Sequence, residues 1–154
     1  DDTNQRHTVL AAAEASGTCV TFVEDVSVLP LGAASLTVFP PVGVGEDNEQ
    51  GLSILCTAGD YDVLVTGDME QSTERMLLDL YDLPDIETLM VGHHGSKYAT
   101  SQELLDALKP ETAIISVGSN SYGHPTEEVL LRLEEAGAAV YRTDEDGTVH
   151  ISLN

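Results

Sequence analysis

The sequence predicts an α/β fold, because short apolar runs alternate with helix-compatible segments over its C-terminal half and the apolar residues are aliphatic. Hydrophobic residues make up 42% of the chain and aromatic residues 5%, the composition of an ordinary aliphatic core. A chain of 154 residues suits one domain with a sizeable interior, so residues 1–154 are expected to form a single unit. No apolar run approaches the roughly 20 residues that a membrane span requires.

Each element has its own signal. Residues 3–16 carry Ala, Leu and Glu at helical spacing, and Gly17 is placed to end that helix. Residues 18–40 change to β-branched alternation, predicting short strands at Val20-Thr21-Phe22-Val23 and Ser35-Leu36-Thr37-Val38-Phe39, broken by Pro30 and Gly32. Residues 40–51 are acidic and nonperiodic, which reads as an exposed loop. The runs 53–57 and 63–66 flank Ala58-Gly59-Asp60 and predict a hairpin.

Downstream, Met76, Leu77 and Leu80 give a one-faced helix over 70–81, closed before Pro84. Residues 87–91 are the next strand. Residues 101–108 form a capped helix with Leu104, Leu105 and Leu108 inward. A fully apolar strand at 113–117 precedes a helix at 126–136, a strand at 139–141, and the turn Asp144-Glu145-Asp146-Gly147 leading into residues 149–152.

Six Lys and Arg against 27 Asp and Glu leave a net charge of −21. That balance excludes a free-standing electrostatic nucleic-acid binder, since phosphate affinity comes largely from Lys and Arg releasing counterions. Bound divalent metal or a neighbouring basic segment would have to reverse the local field. Cys19 and Cys56 sit in apolar runs with no second Cys or His at zinc-finger spacing, and both read as core residues. The start, Asp1-Asp2-Thr3-Asn4, has no signal-peptide pattern and no initiator Met, so the chain is expected to be cut from something longer.

Three segments carry chemistry. Leu64-Val65-Thr66-Gly67-Asp68, Val91-Gly92-His93-His94-Gly95-Ser96-Lys97 and Tyr122-Gly123-His124-Pro125 each place an Asp or His beside Gly at a strand end. A catalytic divalent metal needs compact deprotonated ligands on strand-end loops with one coordination position open to water. Asp68, His93 or His94, and His124 satisfy that description. The bland alternatives are an N-cap for Asp68, a polar turn for His93-His94 and an ordinary loop residue for His124. His7 and His150 are assigned to surface or edge positions. The Gly-Ser-Lys turn offers Ser96 and Lys97 as donors to a phosphate oxygen. No Walker loop and no G-x-S-x-G elbow is present.

These segments, with Ile115-Ser116-Val117-Gly118 and Val140-Tyr141-Arg142-Thr143-Asp144, occur in an order and spacing that resembles the C-terminal metallo-β-lactamase-like domain of the ComEC/Rec2 competence proteins. The likeness runs over about residues 17–153 and is densest from Ser53 onward. It implies the C-terminal portion of an αββα metallohydrolase sandwich, a mixed sheet with flanking helices, joined in the parent to a membrane channel that imports single-stranded DNA in natural transformation. It further implies a metal-dependent nuclease using zinc or manganese, located at the cell membrane on a side the residues do not fix. By the same likeness Asp68 matches a bridging carboxylate and His124 a late metal-ligating histidine, with His93, His94 or both completing that half-site.

One departure accompanies the match. The family opens with an H-x-H/D-x-D-H motif, and nothing in residues 1–68 resembles it, His7 being followed by Thr-Val-Leu. The chain is therefore expected to be a partial domain, inactive alone, binding metal poorly and prone to self-association through exposed strand edges. Two other functions stay open: a metallohydrolase of small substrates, and a non-catalytic binding or scaffold domain.

Overall fold

The computed structural model describes residues 2–45 and 47–152. Seven strands form one mixed sheet in sequential order: β1 (Ser27–Leu31), β2 (Ala34–Phe39), β3 (Ser53–Ala58), β4 (Tyr61–Val65), β5 (Thr88–Met90), β6 (Thr112–Ile115) and β7 (Ala139–Arg142). The helices are α1 (Asp2–Ser16), α2 (Gln71–Leu80), α3 (Gln102–Leu108) and α4 (Glu127–Glu135). Strands β1 to β4 pair antiparallel, and β4 to β7 pair parallel. Connection length dictates the change. The tight turns at Gly32-Ala33 and Gly59-Asp60 return the chain beside its own strand, whereas α2, α3 and α4 carry it back for a parallel one.

Register separates the two faces of the sheet. Leu55, Leu64, Leu89 and Ala113 are paired in one row across β3 to β6 and are all buried. They pack with Leu77 of α2, Leu104, Leu105 and Leu108 of α3, and Val129 and Leu133 of α4 in one core. One residue along, Val38, Ile54, Val65, Met90, Ile114 and Tyr141 form a second row that faces away from the helices. No described helix covers that row. After β7 the chain crosses this open face instead, Val149 lying near Met90 and Ile114 and Ile151 near Cys56 and Val63.

Several expectations change here. Residues 20–23 are not a strand: they lie outside β1, largely exposed, with Phe22 under the Arg6 guanidinium and no neighbouring backbone ladder to join. Strand β1 instead includes Pro30, admissible because β1 is the sheet edge. Cys19 is exposed, and only Cys56 is partly buried, so the core reading fails for the first. Residues 149–152 strap the open face without strand pairing. The acidic loop carries a 3-10 turn at Asp47–Gln50, and residue 46 of it lies outside the described residues.

Under α2 and α3 lies a buried polar clamp. Glu74 is fully buried, and its two carboxylate oxygens accept the backbone N–H groups of Thr100 and Ser101. Burial pushes the Glu74 carboxyl up, against the lowering pull of those N–H donors and of Arg132. Arg132, from α4, donates to the carbonyls of Thr100, Ala99 and Lys97 at 3.0, 2.9 and 3.2 Å. Ser101 then caps α3 by accepting Leu104 N–H at 3.1 Å, and Thr100 Oγ1 accepts Gly92 N–H at 3.1 Å.

Glu74→Gln keeps the volume but faces an NH₂ donor toward an N–H donor. We expect it to lower unfolding free energy in urea by about 2–3 kcal/mol, as for a buried charge-assisted pair left half satisfied. An unchanged urea midpoint would refute the clamp.

Candidate metal centre

Because β4 to β7 run parallel, their C-terminal ends share one edge of the sheet, and each candidate segment leaves from that edge. Thr66-Gly67-Asp68 follows β4, Val91 to Lys97 follow β5, and Ser116 to His124 follow β6. The first two loops are tied by the hydrogen bond from His93 N–H to Gly67 O at 3.0 Å. Gly92 is where they touch: a Cβ there would lie 3.1 Å from Thr66 Oγ1 and 3.3 Å from Gly67 O.

His93 and His94 both adopt the left-handed backbone, with φ of 48° and 54°. Such a pair is strained for non-glycine residues, and strain of this kind concentrates at functional sites. Its effect is to send the two rings in different directions. The His93 ring meets His124, with centroids 5.8 Å apart at 67°. Nδ1 of each of these two imidazoles is buried and has no hydrogen-bond partner. His94 is exposed, and its Nδ1 lies 2.7 Å from the Ser116 carbonyl. A carbonyl only accepts, so Nδ1 carries the proton and Nε2 is left as the lone-pair nitrogen.

The approach of His124 depends on Gly95. A Cβ on Gly95 would stand 2.5 Å from Pro125 Cβ and 3.0 Å from its Cα, and Gly95 has φ +83°. Thr126 N–H donates to Gly95 O at 2.9 Å, stapling the two loops. Asn120, which the sequence reading passed over, holds the other side: its Oδ1 accepts Tyr122 N–H and His124 N–H at 3.0 and 3.1 Å, and its Nδ2 donates to Gly118 O and His124 O at 2.9 and 2.8 Å. An Asn four residues before a loop His was the available signal. Thr143, after β7, fixes the base of the loop by accepting Val117 N–H at 2.8 Å and donating to Val117 O at 2.7 Å.

Asp68 is half-buried and does not cap α2: the cap position is Glu70, whose N–H is accepted at 3.2 Å by Glu49 of the acidic loop. Its bland alternative is thereby removed. Ser96 is buried, and its Oγ accepts Tyr98 N–H at 3.3 Å. The Lys97 ammonium lies 5.1 Å from the centre of the Tyr98 ring. Neither is drawn toward the histidines. His7 and His150 are exposed, as expected.

The donor chemistry suits a divalent transition metal in part. Two buried imidazole nitrogens without partners, beside a carboxylate loop, are the ligand types that zinc and manganese take. Among the described residues, no three His, Cys, Asp or Glu side chains converge closely enough to hold an ion. His124 is held below its ordinary range by desolvation first, then by His93 and His94. It is thus biased to the neutral form that binds metal.

The comparisons with known proteins follow this geometry. The chain is 34% identical over 144 residues to ComE operon protein 3 of Bacillus subtilis, covering 92% of this chain and 19% of that protein. The chain is a ComEC/Rec2-family domain. It is also 37% identical over 111 residues to competence protein ComA of Neisseria gonorrhoeae and 39% identical over 108 residues to recombination protein 2 of Haemophilus influenzae, each alignment covering 70% of it. It spans about a fifth or less of the length of these relatives, 19%, 16% and 14%.

Two solved structures share the fold at a TM-score of 0.56: the diiron β-hydroxylase CmlA of Streptomyces venezuelae, at 15% identity, and the metallo hydrolase Igni18 of Ignicoccus hospitalis, at 16%. The first alignment covers 82% of this chain and 34% of CmlA, the second 96% and 67% of Igni18. The ComEC/Rec2 chain therefore has the metallo-β-lactamase-like fold, here a seven-stranded mixed sheet with flanking helices. No protein-family profile matches it. No described helix is long and apolar enough to cross a membrane.

Gly95→Ala must displace Pro125 or abandon its backbone angle. It should lower stability by about 1–3 kcal/mol, with the His124 ring resonances shifting in NMR spectra; spectra that superimpose on the wild type would refute the close approach. The depressed His124 also sets a pH dependence for the metal-free chain. Because the fold favours the neutral ring, its contribution is complete above the ordinary value of about 6.5 and is lost as pH falls below it toward the folded value. The urea midpoint should therefore decline from pH 7.5 to 5.5 more steeply in the wild type than in His124→Asn; equal slopes would contradict the assignment.

Proposed function

We propose that residues 1–154 are a single, partial metallohydrolase domain of a competence protein, and that in the intact protein it hydrolyses DNA during uptake in natural transformation. The observation that carries this reading is the pairing of His93 and His124, each with a buried Nδ1 that has no partner, on the sheet edge that also carries Asp68. Competence names among the relatives support the DNA-uptake role, and metallohydrolase neighbours support the chemistry. We further propose a membrane channel in the same polypeptide and single-stranded DNA as substrate. The chain alone is expected to be inactive.

When bound, the metal, zinc or manganese, would supply an activated water and neutralise phosphate charge. The residues do the rest. Asp68 would hold metal with its carboxylate, His93 and His124 through ring nitrogens, and His94 through Nε2, its Nδ1–H kept on the Ser116 carbonyl. Ser96 and Lys97 remain the candidate phosphate donors, reached only if Lys97 leaves the Tyr98 ring. A non-catalytic binding domain of the same fold is the second reading, favoured by the charge of −21.

Metal content and cleavage of single-stranded DNA, measured together on the intact protein, test this. Asp68→Ala and His124→Ala should each lower metal affinity and cleavage about 100-fold or more, as expected when a ligand is lost. A wild-type protein that binds no metal and cuts nothing would put the binding-domain reading first.

A further inference from the structure

We propose that Tyr122 is a stacking platform for one nucleobase of a single-stranded nucleic acid, placed beside the metal centre; this deepens the nuclease reading and rests on it. Tyr122 is 81% exposed, the most exposed of the chain's tyrosines among the described residues that present large apolar surface to solvent. It is nonetheless held. Its N–H is fixed on Asn120 Oδ1 at 3.0 Å, the same oxygen that holds His124, and its ring lies 6.1 Å from the His124 ring at 21°, nearly parallel. The ring is thus aligned with the site while most of its surface is presented to solvent.

The ring stands on the rim of a cavity of about 250 Å³ whose walls include His94, His124, Val117 and Asn120. That is below the roughly 300–1,000 Å³ of pockets for drug-sized ligands, and it suits a single planar ring. The charge balance points the same way. With 6 Lys and Arg against 27 Asp and Glu, basic side chains supply little of the affinity for a polynucleotide. Stacking is independent of charge, tolerates any base, and needs a base whose face is free. A duplex buries those faces, so a platform of this kind selects single strands.

The chain has five tyrosines, and Tyr122 is read individually by incorporating 3-fluorotyrosine and assigning its ¹⁹F signal with Tyr122→Phe. The full chain is titrated with a short oligothymidylate and, separately, with a duplex of two fully paired strands. The proposal expects the Tyr122 signal to move with the single strand only, Tyr122→Ala to bind about 5-fold to 100-fold more weakly, and Tyr122→Phe to bind as the wild type. It also expects binding to weaken little as salt is raised. An unmoved signal, an equal response to duplex, or Tyr122→Ala binding unchanged would overturn it. The intact protein separates the two ideas: a responsive Tyr122 without DNA cleavage sinks the nuclease reading alone, and cleavage that Tyr122→Ala leaves at wild-type KM sinks the platform alone.

Discussion

The buried Glu74 carboxylate is the constraint around which the rest of this structure is arranged. A charge out of contact with water survives only where hydrogen bonds replace its hydration. Here the replacements are main-chain N–H groups at Thr100 and Ser101, which begin α3. The same loop has its carbonyls claimed by Arg132, so three elements, α2, α3 and α4, are bound to one stretch of backbone. Removing either partner leaves the other groups buried and unpaired, which makes the assembly behave as one unit.

That unit matters for chemistry because the histidine loop hangs from it. Thr100 fixes Gly92, Gly92 abuts Thr66 and Gly67, and the left-handed turn at His93-His94 follows at once. From the other side Asn120 and Thr143 immobilise the loop bearing His124. The two rings are therefore positioned by hydrogen bonds within the loops that bear them and to the loops beside them, an arrangement that fixes their aim in advance.

What the sequence made legible were features written in local pattern. The helices at α2, α3 and α4 followed from spacing of Leu77, Leu104, Leu105, Leu108 and Leu133, and the hairpin of β3 and β4 from Gly59-Asp60. Asp68, His93 and His124 stood out as unusual residue types at strand ends, and parallel pairing then put their loops on one edge. Tertiary facts were invisible. Nothing in the sequence singled out Glu74 or Arg132, since their partners lie 26 to 35 residues away in the chain. Val20 to Val23 had strand propensity and no partner strand, and propensity without a ladder does not make a sheet. Capping stayed open as the alternative for Asp68 because nothing local announced that Glu70 would take the cap position of α2 and Glu49 reach it.

The open face of the sheet has a consequence for how the protein behaves as a solute. Tyr141 and the half-buried Met90, with the strap of residues 149–152 beside them, leave apolar surface on a molecule whose net charge is −21. Long-range repulsion between like-charged copies opposes contact between those faces, and it reaches only about 10 Å at 0.1 M salt. Divalent cations both screen and neutralise carboxylates, so they weaken that repulsion further than their ionic strength alone would.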